Sequence, residues 1–144
     1  METTKVLIVD DHPIIREGVR AMLEPRKGIE VVREGVSAMQ ETEIEVVGEA
    51  SNGLAAVDQT AKLCPDIVLM DIVMPNLDGL EATRRIKRQC PNTNVIILTI
   101  HTDKAFVINA IQAGASGYLL KDASRDVLCH AIKAVNSGGI LIKS

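Results

Sequence analysis

Five residues of this chain sit where folded proteins often do chemistry, each closing a short apolar run. Asp10 and Asp11 follow VLIV, Asp71 follows IVLM, Thr99 follows VIIL and Lys121 follows GYLL. Three carboxylates brought close together repel one another, so the set must either hold a proton or bind a hard divalent cation through oxygen. Mg2+ is the natural occupant. A carboxylate beside such an ion can attack a phosphoryl group and form an aspartyl phosphate, while the ion and a lysine offset charge on the equatorial oxygens. Thr99 would add a hydroxyl hydrogen bond to the same group.

The elements that must position these residues are legible in the pattern. Within PDIVLMDIVMPNLDG (Pro65 to Gly79) the run before Asp71 is apolar on both faces and rich in β-branched residues. That composition suits a strand of a parallel sheet covered by helices, whose chemistry lies at the carboxyl ends of the strands. Val6 to Val9 reads the same way. Pro13 suits the first turn of a helix whose apolar positions are Ile15, Val19, Met22 and Leu23, and Pro25 stops it. Leu54, Val57 and Ala61 give a second helical stripe. Asp78 is placed to cap a third helix with Glu81 three residues on, running to about Gln89. A fourth, around Ala105 to Ala113, ends at Gly114, and a fifth, capped by Ser124 or Asp122, presents Leu128, Ile132 and Val135 and ends at Gly138 and Gly139.

Five strands alternating with five helices predict a doubly wound α/β sandwich with right-handed crossovers. In the flavodoxin-like order 2-1-3-4-5 the first and third strands are neighbours, about 4.8 Å apart. Asp10, Asp11 and Asp71 then share one acidic pocket, with Thr99 and Lys121 on its other side. Taken singly each residue has a plainer reading: the acids precede a helix, Thr99 ends a strand, and Lys121 is solvated. Their joint placement at strand tips favours the shared site. Asp78 is assigned to capping and His101 to the surface.

One stretch breaks the regular pattern. Arg16 to Val32 (REGVRAMLEPRKGIEVV) is followed directly by Arg33 to Val47 (REGVSAMQETEIEVV), a tandem repeat in which each copy encodes a helix and an IEVV strand. The copies compete for one place. The favoured arrangement puts Ile44 to Val47 in the edge-strand position and extrudes roughly Arg26 to Glu43. The alternative keeps Ile29 to Val32 as the second strand and adds the second copy as an outer sixth strand. A long insertion there also offers a route to dimerisation.

Composition narrows the function classes. A chain of 144 residues, 47% apolar and 24% charged, fills the core of one domain. With one Phe, one Tyr, no Trp and a net charge of −3, it has neither aromatic platforms for bases nor a broad phosphate-binding face, which argues against nucleic acid as a direct partner. Cys64, Cys90 and Cys129 lack metal or redox spacing and read as reduced structural thiols. The four-residue apolar run near the N-terminus is too short for a signal peptide and no stretch reaches membrane-span length, so a cytoplasmic location is expected. A phosphate-cradling loop would be rich in Gly and Ser, whereas DDHP presents two negative charges. A flavodoxin-like cofactor protein is thereby disfavoured.

IVDDHP, DIVMPNLDG, ILT and GYLLKD, in this order over nearly the whole chain, resemble the receiver domain of bacterial two-component response regulators. SGYLLKDAS, VREGV and the Gly-Gly tail are most similar to the NarL/LuxR-type transcriptional regulators. The resemblance implies a non-enzymatic switch in which Asp71 accepts a phosphoryl group from a sensor histidine kinase. It implies Asp10, Asp11, Asp71 and the Val73 backbone carbonyl as Mg2+ ligands, Thr99 and Lys121 as switch hydroxyl and phosphate-pairing cation, and Tyr118 as an aromatic switch. It also suggests DNA control through an output domain. Residues 1–144 are expected to form the receiver alone, with five residues after Gly139 and no helix-turn-helix.

Overall fold

In the computed structural model of this chain, residues 3–24, 43–74, 77–101, 103–139 and 141–142 are described. Strand β1 (Thr3–Val9) leads into helix α1 (Pro13–Leu23), β2 (Glu43–Ala50), α2 (Gly53–Leu63), β3 (Ile67–Met70) and α3 (Gly79–Gln89). Then follow β4 (Asn94–Thr99), α4 (Lys104–Ala113), β5 (Gly117–Leu120), α5 (Arg125–Asn136) and a short β6 (Leu141–Ile142). All pairings are parallel, in the order β2-β1-β3-β4-β5-β6. The expected 2-1-3-4-5 order holds, with one correction. A sixth strand pairs with the far edge of β5, Gly117 opposite Leu141 and Tyr118 opposite Ile142. Two residues are too few to carry a periodicity.

Alternation along the strands divides the core between the two faces of the sheet. On one face Val6, Ile8, Ile67, Leu69, Ile96, Leu98 and Leu119 pack against Val19 and Leu23 of α1 and Leu128, Ile132 and Val135 of α5. On the other, Leu7, Val9, Val68, Met70, Val95, Ile97 and Tyr118 meet Ala56, Ala82, Ile86 and Ala110 of α2, α3 and α4. The helix ends follow the sequence signals. Asn52, Asp78 and Ser124 each accept a backbone N–H as N-caps. Glu81 gives only half of the expected capping box, since its carboxylate turns to Arg84 at 3.1 Å. Gly114 closes α4 in the left-handed region at φ 103°.

The repeat resolves into a mixture of its copies. Strand β1 pairs directly with Glu43–Ala50, Thr3 opposite Glu43 and Thr4 opposite Ile44, so the second IEVV is the edge strand. This overturns the arrangement in which Ile29 to Val32 stands beside β1 and the second copy lies outside it. Residues 25–42, which include that first IEVV and nearly all of the expected extrusion, lie outside the described residues; Glu43 belongs to β2.

The residues after each IEVV supply a reason. A bulge between Val46 and Gly48 sets Gly48 opposite Leu7, where an added Cβ would come within 2.9 Å of Leu63 Cδ1 and 3.0 Å of Gln59 Oε1. The first copy continues with Arg33 instead. Next, Glu49 accepts hydrogen bonds from Arg16 at 3.0 Å and Arg20 at 2.8 Å. The helix comes from the first copy, whose buried Leu23 and paired Arg20 correspond to Gln40 and Ser37 in the second.

Candidate functional site

The sheet ladder runs one residue past three strands and so fixes the backbone under three of the predicted residues. Asp10 N–H donates to Ala50 O at 3.1 Å, Asp71 N–H to Val9 O at 3.0 Å and Lys121 N–H to Thr99 O at 2.8 Å. A glycine sets the wall behind Asp71. Gly79 opens α3, its N–H donates to Ile72 O at 2.8 Å, and an added Cβ would overlap the Asp71 carbonyl and come within 2.9 Å of Ile72 Cα. Only a residue without Cβ lets α3 start there.

The side chains converge. Asp10 and Asp71 are 3% and 5% exposed. Lys121 Nζ reaches both, at 2.8 Å from Asp10 Oδ2 and 3.4 Å from Asp71 Oδ2. Burial opposes the charge on Asp10, but hydrogen bonds from Lys121 and His12 prevail and hold its carboxyl below the usual carboxylate range. Burial and the neighbouring Asp10 push Asp71 up, only partly countered by Lys121 and the Val73 N–H. Burial pulls Lys121 down, yet the two aspartates more than offset it and raise its value.

Two residues contribute more than their sequence positions suggested. His12 Nδ1 lies 2.8 Å from Asp10 Oδ1 and 3.0 Å from Asp11 Oδ1, and the hydrogen bond to Asp10 raises the imidazole value. The only clue in the sequence was its place between two acids and Pro13, which favours an extended backbone at His12. His101, expected at the surface, is half-buried and lies between Thr99 and Tyr118. Its N–H donates to Thr99 Oγ1 at 3.2 Å, its carbonyl accepts from Tyr118 OH at 2.6 Å, and its ring stacks on Phe106 at 4.6 Å. Thr99 is fully buried and Tyr118 nearly so. Val73 is exposed at the rim.

The donor set suits a divalent cation. One ligand atom from each of Asp10, Asp11, His12 and Asp71 lies within 4.8 Å of the others. Asp11 Oδ1 is buried, with His12 Nδ1 3.0 Å away as a polar neighbour but no well-aligned hydrogen bond among the described residues. Clustered carboxylate oxygens fit a hard ion. The three cysteines are free thiols, with Cys64 exposed at the end of α2.

Residues 30–133 match the sequence profile of the response regulator receiver domain. The transcriptional regulatory protein DegU of Brevibacillus brevis is 39% identical over 96% of this chain and 52% of its own length. For the response regulator UvrY of Escherichia coli the figures are 42%, 96% and 57%. The chain thus spans about half the length of the curated relatives it matches. A LuxR-family response regulator from Aurantimonas sp. SI85-9A1 superimposes with a TM-score of 0.81 at 36% identity, covering 97% of this chain and 89% of that one. The receiver domain of the response regulator NarL from Mycobacterium tuberculosis gives 0.80 at 32%, covering 96% and 99%. With its parallel sheet and an acidic strand-tip cluster beside a lysine, this chain belongs to the response regulator receiver-domain family, within the NarL/LuxR group.

Proposed function

We propose that this chain accepts a phosphoryl group on Asp71 from the phosphohistidine of a sensor kinase and relays the change to a DNA-binding output. The supporting observation is the convergence of Asp10, Asp71 and Lys121 from three separate strands, with Lys121 Nζ 2.8 Å and 3.4 Å from the two carboxylates. In the reaction an Asp71 carboxylate oxygen forms a bond to phosphorus as the phosphorus–nitrogen bond breaks, and the imidazole leaves with the electron pair.

Each neighbour has a part. Lys121 pairs with the added phosphoryl oxygens, releasing Asp71 from the present ion pair. Thr99 donates its hydroxyl to the same group, which draws on the His101 backbone it now holds and, through that carbonyl, on Tyr118. Asp10, Asp11, Asp71 and the Val73 carbonyl would hold Mg2+, which when bound offsets the negative charge of carboxylates and phosphoryl oxygens. Phosphorylation thereby biases an existing equilibrium at the α4, β5 and α5 surface, and homodimerisation is one output.

The test is intact-mass measurement after incubation with acetyl phosphate. With Mg2+ the parent gains one phosphoryl mass; with chelator, or in Asp71→Asn, it gains none. Equal uptake by Asp71→Asn would falsify the assignment.

A further inference from the structure

We propose that the cation site is a mixed oxygen and nitrogen site, in which His12 Nδ1 confers affinity for a borderline transition ion such as Ni2+ beyond what the carboxylates alone provide. The inference rests on the cation-binding reading above and adds a donor that an all-oxygen Mg2+ site lacks.

The placement of His12 carries the argument. It is the N-cap of α1, with φ −103° and ψ 111°, yet its side chain caps nothing. Pro13 follows at the first helical position and holds His12 extended. The ring instead turns back over the acids, its Nδ1 2.8 Å from Asp10 Oδ1 and 3.0 Å from Asp11 Oδ1. The His12 backbone N–H donates to that same Asp10 oxygen at 2.9 Å and ties the ring's base to the cluster. Asp71 completes a set of four donors within 4.8 Å, and the imidazole is 61% exposed, open to ions from solvent.

Ligand chemistry gives the selectivity. Mg2+ prefers oxygen and takes little from an imidazole, whereas Ni2+, Cu2+ and Zn2+ gain from one, in the order of divalent affinities. Removing the imidazole should weaken transition ions and leave Mg2+ nearly untouched.

The test uses the untagged full chain, stripped with chelator, at about pH 8, above the ordinary imidazole value. Calorimetric titration with NiCl2 and MgCl2 should show Ni2+ affinity falling about tenfold or more in His12→Ala while Mg2+ affinity stays within about twofold. Pulsed electron paramagnetic resonance of the Cu2+-loaded chain should show imidazole nitrogen modulation that His12→Ala abolishes. Equal losses for Ni2+ and Mg2+, or nitrogen modulation that persists in His12→Ala, would overturn the proposal while leaving the site intact. Unchanged binding of both ions in Asp11→Asn would instead remove the cation-site reading and the proposal with it.

Discussion

Asp10 and Asp71 share one lysine and nearly equal burial, yet their protonation is shifted in opposite directions. Asp10 has His12 and the shorter contact to Lys121, so its charge stabilises the fold; that contribution is present above the ordinary carboxylate value, about 4, and is lost as pH falls through the lower folded value. Asp71 is raised by burial and by Asp10. Its charge therefore costs stability, a cost absent at low pH that grows as pH rises from about 4 through the raised folded value. In chelator at neutral pH, Asp71→Asn should raise Tm and Asp10→Asn should lower it. The Asp71→Asn gain should vanish as pH is lowered towards about 4. A lower Tm for metal-free Asp71→Asn at neutral pH would show that the two carboxylates are ranked wrongly.

At the scale of elements, the site depends on where α3 begins and on which repeat copy supplies β2. Gly79→Ala forces α3 away from the Asp71 backbone, and we expect a loss of about 2 kcal/mol in urea unfolding together with slower phosphoryl uptake. Normal stability and uptake would show that α3 yields without moving Asp71. Deleting residues 33–47 joins Val32 to Gly48 and restores the IEVV-Gly-Glu-Ala sequence that pairs with β1. The expected result is a folded chain with stability within about 1 kcal/mol of the parent, since loop length changes closure entropy slowly. An unfolded deletion variant, by circular dichroism, would mean that the repeat has become part of the fold.

Across the whole molecule, stability resides in two apolar layers and chemistry in one rim. Leu69 is buried at the sheet centre, 1% exposed, whereas Ile14 on α1 is 80% exposed. Leu69→Ala should cost about 3 kcal/mol and Ile14→Ala less than about 0.5 kcal/mol by denaturant titration. Comparable losses would place Ile14 in a contact that its exposure does not suggest.

The first five strands and the rim of Asp10, Asp11, Asp71, Thr99 and Lys121 were legible in the sequence because wholly apolar runs, turn residues and caps are local signals, whereas the strand order came from the flavodoxin-like arrangement and not from any local pattern. What needed the tertiary structure were contacts between residues distant in the chain. Two identical IEVV segments carry the same strand signal; the favoured placement of the second is borne out by its pairing with β1, and the tight space at Gly48 and the pairing of Glu49 with α1 supply the physical reason. The close approach of Gly79 to Asp71 and the hydrogen bond from Tyr118 to the His101 carbonyl depend on distances across elements, while the turn of His12 over the acids is a local rotamer choice that no periodicity records. Sequence periodicity determined which residues reach the end of the sheet. Side-chain packing, which no local pattern encodes, decided which of them touch.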